Sequence, residues 1–311
     1  MTNYMKLIII ISALFLAAWG DDFPEDPITI IVPAAVGGVS DTIAKNIAAE
    51  ASQLLGVEVT VKNIPGVSNA AGLNRAFRED PDGYTLVLAP TEVVTLPLMG
   101  RVEWKTNDFT PIAGVIHMPA ALMVRKDSSL DNISAIVAKS ETPDGINIGS
   151  SSMSGVWYQA ATAFTDSVKA KLTLKQFSDS LKIYNALTTG AVDAIIAGYT
   201  TQLPDNVKVL CIMSDTEILD VPRCKDYGVN ISAGTWWMLM APPETQEELD
   251  PEEIAVLYDT FSEVLTSGRF QTFLVSNGLV PELIRPHRLG DFLNKQASFF
   301  TPLLKENYLL D

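Results

Sequence analysis

Short β-branched runs alternate with amphipathic stretches along most of the chain. Ile28 to Val32 is a strand-like run, Thr42 to Leu55 has helical periodicity, and Val57 to Val61 is again strand-like. The same alternation returns in the middle of the sequence, from Ala121 to Met213. Regular alternation of this kind is typical of βαβ units. The sequence therefore predicts an α/β fold in which mostly parallel sheets are flanked by helices.

The length of the chain and its late helices predict two lobes. At roughly 150 residues per domain, 311 residues are enough for two. Pro251 to Ser267 and Arg288 to Asn307 present apolar residues on one helical face, so they need a sheet to cover. The first lobe has the fewest helices of its own and is the expected host. We therefore predict that lobe one contains residues 21–124 plus 235–311 and that lobe two contains residues 125–234.

Composition excludes several classes of function. The chain has 22 Lys and Arg against 37 Asp and Glu, which gives a formal net charge of -15. A surface this negative repels phosphate backbones and anionic lipids, so nucleic acid is not an expected partner. With two cysteines and two histidines, no metal-ligand spacing occurs in the sequence. We expect neither a metal nor another cofactor.

The N-terminus indicates export. Lys6 precedes the apolar run Leu7 to Trp19, which suits the central region of a signal peptide and is too short for a spanning helix. Small residues at Ala18 and Gly20 predict a signal peptide over residues 1–20 with cleavage before Asp21. An uncleaved N-terminal anchor is the alternative. The expected location is periplasmic or otherwise extracytoplasmic.

Export also bears on the two cysteines. Cys211 lies in a strand-like run and Cys224 in a polar segment thirteen positions later. An oxidising compartment permits a disulfide between them. Sequence spacing does not show whether their Cα atoms approach closely enough, so a bridge and two buried thiols both stay open.

The most prominent loop, Val32 to Asp41, lies between a predicted strand and a predicted helix. Its paired glycines permit positive φ, so that several N–H groups can converge where the helix N-terminus adds about half a positive charge. An anion would bind there; the alternative is an ordinary turn with Ser40 or Asp41 as helix cap. The loop matches neither a dinucleotide fingerprint nor a P-loop. Its candidate ligand-binding residues are Ala35, Val36, Gly37, Gly38, Ser40 and Asp41.

A second loop, Gly149 to Gly155, is rich in hydroxyl groups, which can donate hydrogen bonds to a carboxylate. It does not form the Gly-x-Ser-x-Gly motif of serine hydrolases, because Met153 stands where the second glycine belongs. A secreted hydrolase using Ser151 or Ser152 remains the main alternative function. The candidate ligand-binding residues of this loop are Ser151, Ser152, Ser154 and Gly155.

A third candidate site follows the predicted strand Thr85 to Ala89. Thr91 and Glu92 stand at its carboxyl end, where open α/β sheets bind ligands. The alternative for Glu92 is a solvated or helix-capping carboxylate.

With these segments, the chain resembles the extracytoplasmic solute-binding proteins of tripartite tricarboxylate transporters, the Bug or TctC family. The resemblance runs from about Pro27 to the C-terminus and rests on the order and spacing of several short motifs. They are Pro27 to Pro33 leading into Gly37 to Asp41, Asn63 to Gly66, Asp80 to Leu86, Phe109 to Ala113, Asp220 to Pro222, and Trp236 through Ala241-Pro242.

The resemblance implies a two-lobed clamshell of the type II periplasmic-binding-protein kind, which closes on a small carboxylate and delivers it to membrane permease subunits. It also implies that two facing strand-to-helix loops hold the ligand. In this chain those are the loops of Ala35 to Asp41 and Ser150 to Gly155. A binding protein that reports to a signalling partner is a further alternative.

The chain departs from the family pattern at two places. The glycine-rich run expected after Gly66 is replaced by Val67 to Ala71, and a lysine-containing segment of lobe two is replaced around Gln176 to Asp179. Losing that lysine and gaining Glu92 makes the expected cleft more negative. A like-charge contact at 4 Å and an effective dielectric near 20 costs about 4 kcal/mol. We therefore expect a ligand with one carboxylate, such as an amino acid or an aromatic carboxylate.

Overall fold

The computed structural model describes residues 23–308, apart from positions 154, 179, 216, 219, 283 and 285. The predicted signal peptide, its cleavage point before Asp21 and the candidate Ser154 therefore lie outside the described residues. None of the helices in this part of the chain combines the length and apolar character that crossing a membrane requires.

The described residues form ten strands and ten α-helices. The strands are β1 (Ile28–Val32), β2 (Val59–Asn63), β3 (Thr85–Pro90), β4 (Thr110–Arg125), β5 (Asn147–Ser150), β6 (Thr173–Gln176), β7 (Ala194–Gly198), β8 (Val207–Ile212), β9 (Gly234–Ala241) and β10 (Val280–Glu282). The helices are α1 (Val39–Leu55), α2 (Ala70–Ala76), α3 (Glu92–Leu98), α4 (Ile133–Ser140), α5 (Val156–Val168), α6 (Ser180–Thr188), α7 (Thr245–Glu248), α8 (Pro251–Thr266), α9 (Gly268–Ser276) and α10 (Pro286–Tyr308).

The first sheet has the strand order β2, β1, β3, β9, β4, β10. Successive side chains of a strand face opposite sides of a sheet. Ile30 accordingly packs in the cluster that contains residues of α1, α8 and α9, whereas Ile31 packs in the cluster of α2, α3 and α10. Helices thus cover both faces, which explains why β1 is almost entirely apolar.

The second sheet has the order β8, β4, β7, β5, β6. Ile148 of β5 packs in a cluster with residues of α4 and α5, and Ile195 of β7 packs on the other face with residues of α6. The second sheet is therefore covered on both faces as well.

Strand β4 belongs to both sheets. From Thr110 to Pro119 it pairs with β9, and from Ala120 to Arg125 it pairs with β7 and β8. The chain returns next to this point, because Ala120 N–H donates to Ala233 O at 2.8 Å and β9 begins at Gly234. This pairing favours a first lobe boundary between residues 119 and 120, five positions before the predicted one. We propose the two-lobe division with that boundary.

The α/β architecture predicted from the sequence is confirmed, but its strand pairing is mixed rather than mostly parallel. Among the described strands, four pairings are parallel and five are antiparallel. All five antiparallel pairings involve β4 or β9. Hydrophobic periodicity identifies β4 and β9 as strands but carries no information about their direction. A βαβ connection would have fixed that direction as parallel, and these antiparallel pairings are not made through such a connection.

The cysteines are paired. Cys211 at the end of β8 forms a disulfide with Cys224, and their Cα atoms are 4.9 Å apart. Of the two alternatives that the sequence left open, the structure has the bridge.

Candidate functional site

The carboxyl ends of the parallel strands in both sheets lie at the junction between the sheets. In the first sheet, Pro90 at the end of β3 pairs with Trp237, three residues after β9 begins, and β1 is parallel to β3. In the second sheet, Gly198 at the end of β7 pairs with Ala120, and β5 is parallel to β7. The loops after all four strands therefore face the junction, the position at which open α/β sheets bind ligands.

The β1–α1 loop contains an internal anion. Gly37 has a φ of +84° and its N–H donates to Asp41 Oδ2 at 2.7 Å. Lys45 Nζ donates to the same oxygen at 2.7 Å. The side chain of Asp41 is buried. The hydrogen bond from Lys45 and, to a smaller extent, the hydrogen bond from Gly37 lower the pKa of its carboxyl. Asp41 therefore shapes the loop from within rather than facing the gap.

The remaining predicted residues of this loop divide into an anchored and an exposed group. Ser40 Oγ accepts a hydrogen bond from Trp237 Nε1 at 2.8 Å, which ties the loop to β9. Ala35, Val36 and Gly38 are exposed, and Val36 exposes 70% of its surface. Gly38 is the N-cap of α1 and no side chain caps this helix. The first N–H groups of α1 have no acceptor within the helix and carry its positive dipole end.

The β5–α5 loop is held by its own serines. Ser151 Oγ accepts a hydrogen bond from Tyr158 N–H at 3.1 Å in the first turn of α5. Ser152 is exposed, and its carbonyl accepts the N–H of Gly155 at 2.8 Å, where Gly155 is the N-cap of α5. Ser151 thus fills the role of a helix cap.

Thr91 and Glu92 stand between β3 and α3. The hydroxyl of Thr91 is buried and accepts a hydrogen bond from Trp236 N–H at 2.9 Å, so Thr91 ties β3 to β9. Glu92 is half-buried. Burial raises the pKa of its carboxyl, and a hydrogen bond with the Asn69 side chain partly offsets this rise.

A cavity of about 370 Å³ opens at the junction, and we call it the interlobe cavity. It combines residues from the β1–α1 loop, from α9 beside the first sheet, and from α5, α6 and the end of β7 beside the second. Of the predicted binding residues that the structure describes, Gly37 and Gly38 line it. The lining consists of Gly37, Gly38, Val39, Thr42, Met118, Trp157, Ser180, Tyr184, Gly198, Tyr199, Thr200, Gln202, Phe273, Asn277 and Leu279.

A larger cavity of about 570 Å³ lies on the other face of β4. It is lined by His117, whereas the next residue, Met118, lines the interlobe cavity. None of the described residues around this larger cavity comes from the loops after β1, β3, β5 or β7. The interlobe cavity is therefore the better candidate site despite its smaller volume.

Several lining residues were not predicted from the sequence. Tyr199 and Thr200 directly follow β7, so the rule that selected the other three loops would also have selected them. Trp157 stands two residues after Gly155 and extends the second predicted loop into the helix. Phe273 lies on α9 and Asn277 is the C-cap of that helix. Both are far from the predicted loops in sequence, and no local signal marks them.

The two histidines stand apart from the predicted serines. His117 lines the larger cavity, and burial lowers its pKa to about 4. His287 is exposed on α10. The Ser151 hydroxyl bonds to backbone groups of Tyr158 and Ser152. Among the described residues no group of three or more His, Cys, Asp or Glu side chains is placed to hold a metal ion.

Two sheets that share β4, and a cavity at the carboxyl ends of strands from both, define the class of two-lobed periplasmic solute-binding proteins. Residues 43–308 match the model of the tripartite tricarboxylate transporter family receptor, TctC. This is well over half of the chain, which therefore belongs to that family, as its sequence motifs predict.

Individual relatives agree with this assignment. The chain is 25% identical to BugT of Bordetella pertussis over 324 aligned positions, which cover 98% of each protein. It is also similar to a TctC solute-binding protein from Polaromonas, with 26% identity and a TM-score of 0.80, over 91% of this chain and 99% of the other. MatC from Rhodopseudomonas palustris, solved with bound malate, shares the fold with 24% identity and a TM-score of 0.68, over 91% of this chain and all of MatC.

Proposed function

We propose that this chain is the extracytoplasmic receptor of a tripartite tricarboxylate-type transporter. It captures a small carboxylate-bearing solute between its two lobes and delivers it to the membrane permease subunits. Membership of the TctC family supports the transport role, and the malate bound to MatC supports a carboxylate as ligand. The disulfide between Cys211 and Cys224 suits an oxidising, extracytoplasmic compartment.

The observation that carries the proposal is the position of the interlobe cavity. Gly37 and Gly38 bring the uncapped start of α1 to its wall, where free N–H groups and the helix dipole favour a carboxylate. Trp157 and Tyr199 line the same cavity from the side of the second sheet. A solute that contacts both sides stabilises the closed form by its higher affinity for closed over open.

Calorimetry combined with small-angle X-ray scattering tests this function. Mature protein is titrated with malate, citrate, adipate, benzoate and 3-phenylpropionate, and the radius of gyration is measured with and without the solute that binds. We expect saturable binding of at least one carboxylate, a smaller radius of gyration in the complex, and recovery of the solute unchanged. Chemical conversion of the solute, or binding without compaction, would contradict a receptor role.

A further inference from the structure

The interlobe cavity has a largely apolar and aromatic lining. Four aromatic side chains contribute to it: Trp157, Tyr184, Tyr199 and Phe273. Its polar groups are hydroxyls, side-chain amides and backbone. Among the lining residues that the structure describes, none is Lys, Arg, His, Asp or Glu.

From this lining we infer the substrate class: the solute is a monocarboxylate whose remaining part is uncharged and aromatic. The inference rests on the proposed function, since it assumes that the carboxylate lies at the start of α1. It goes further by excluding dicarboxylates and zwitterionic amino acids as preferred ligands.

Charge balance carries the first half of the inference. A charged group taken from water into a cavity needs a partner of opposite charge or several hydrogen bonds. The start of α1 offers one such place. The hydroxyls and side-chain amides of the lining can form hydrogen bonds with a second charged group, but the described lining offers no cation for a second carboxylate and no carboxylate for an ammonium group. Burying a second charge here therefore costs more free energy than burying an uncharged ring. Asp41 and Lys45 bind each other on α1, and Glu92 does not line the cavity.

The fixed positions of the aromatic side chains carry the second half. Tyr184 Oη donates to Gly198 O at 3.0 Å, and burial raises the pKa of this phenol, so it stays a neutral donor. Trp157 packs closely over Gly198: a Cβ at position 198 would lie 2.8 Å from the indole Cζ2 and 2.6 Å from Met118 Sδ. Only glycine lets the indole and the thioether approach the strand this closely. Aromatic faces held in this way favour a planar ring through offset or edge contacts.

The aromatic residues also come from both sides of the junction. Phe273 of α9 packs against the cluster of the first sheet, whereas Trp157 of α5 packs against clusters of the second. A ring that contacts both Phe273 and Trp157 would stabilise the closed form relative to the open form, as transport requires. The cavity volume of about 370 Å³ is near the lower end of the 300–1,000 Å³ typical of small-molecule sites. A single ring with a short carboxylate arm fits this size.

A series of compounds that differ by one group tests the inference. 3-Phenylpropionate is compared by calorimetry with its carboxamide, with L-phenylalanine, with benzylsuccinate and with 3-cyclohexylpropionate; malate serves as the ring-free dicarboxylate. We expect 3-phenylpropionate to bind most tightly. Loss of the carboxylate charge, addition of the ammonium group, addition of a second carboxylate and loss of aromaticity should each weaken binding at least tenfold.

Variants of Trp157 locate the ring. Trp157→Ala should weaken the binding of 3-phenylpropionate at least tenfold. Tyr227→Ala, which removes an exposed aromatic residue elsewhere, should leave the binding unchanged. Trp157→Phe keeps an aromatic face, so it should retain the affinity within about threefold while reducing the change in tryptophan fluorescence on binding. This second variant keeps the test valid if Trp157→Ala fails to fold.

The outcomes separate the inference from the proposed function. Tighter binding of malate or L-phenylalanine than of 3-phenylpropionate, with closure, would overturn the substrate class and leave the receptor role standing. Unchanged affinity in a folded Trp157→Ala variant would also overturn it. Binding of none of these carboxylates would contradict both.

Discussion

Replacing Gly38 by aspartate places a negative charge at the wall of the interlobe cavity without disturbing the fold. Gly38 is exposed, and its φ of -77° and ψ of 174° are available to any residue. A Cβ there would meet Ala35 O at 3.4 Å and nothing closer. Aspartate is a preferred N-cap residue and replaces glycine with a gain of a few tenths of a kcal/mol. Gly38→Asp should therefore melt at or slightly above the wild-type temperature.

The effect on binding is large because the new carboxylate faces the one expected on the solute. At 4 Å and an effective dielectric of 20, repulsion between two unit charges is about 4 kcal/mol. At about 1.4 kcal/mol per tenfold change, the dissociation constant should rise about a thousandfold. The aspartate also takes up free N–H groups of α1 that the solute would otherwise use.

The assay is calorimetric titration with whichever carboxylate binds the wild type, together with thermal melting of each variant. Gly38→Asn is the uncharged counterpart of nearly equal size and should lose much less affinity. Gly268→Asp is the matched control: it makes the same substitution at the start of α9, at an exposed glycine that does not line the cavity and has no heavy atom near its Cβ position. It should bind like the wild type.

Two results would refute this reasoning. If Gly38→Asp retains its affinity, the carboxylate of the solute does not bind at the start of α1. Equal losses in Gly38→Asn and Gly38→Asp would show that blocking the N–H groups, and not charge repulsion, controls binding.

Two further predictions concern stability. Burial lowers the pKa of His117 from 6.5 to about 4. Between pH 6.5 and pH 4 the unfolded state therefore binds more protons than the folded state. As the pH falls through this range, the free energy of unfolding should decrease by about 3 kcal/mol. Denaturant unfolding at pH 7 and pH 4 measures this loss of stability. The loss should be smaller in His117→Gln than in the wild type, and the same as in the wild type in the exposed control His287→Gln. Equal losses in the two variants would contradict the role of His117. Ser151→Ala should lower the free energy of unfolding by about 1 kcal/mol, because it removes the acceptor of Tyr158 N–H, and should leave solute affinity within threefold. An unchanged melt would contradict this capping role, and loss of a hydrolytic activity in Ser151→Ala would support the catalytic alternative.

Local pattern was sufficient for most of the fold. The strand β1 and the helix α1 appear in the sequence as an apolar run and a helical repeat, and Gly37 between them has the positive φ that paired glycines suggest. The lobe boundary that we propose near Ala120 is harder to predict. β4 is one continuous strand. Pro119 lies at the point at which its partners change, but a single proline within an apolar run does not by itself reveal a change of partner.

Asp41 and Glu92 show why polar residues in promising loops were assigned less well than the loops themselves. Both are acidic and both follow a strand. Asp41 is held by local contacts, since Gly37 and Lys45 each stand four positions from it in sequence. Tertiary packing places Glu92 beside Asn69 and outside the interlobe cavity. The expectation of a single-carboxylate ligand therefore no longer rests on Glu92; it rests on the uncharged lining.

The amino-acid sequence by itself determined the α/β class, the family and the loops at the carboxyl ends of strands, because these depend on periodicity and short motifs along the chain. Only the tertiary structure decided which side chains surround the solute. Trp157 and Phe273 are 116 positions apart in sequence, and they line one cavity because strand pairing through β4 brings α5 and α9 to the same side of the junction. Contacts between residues so far apart follow from how the two sheets are joined, and that information is spread over the whole chain.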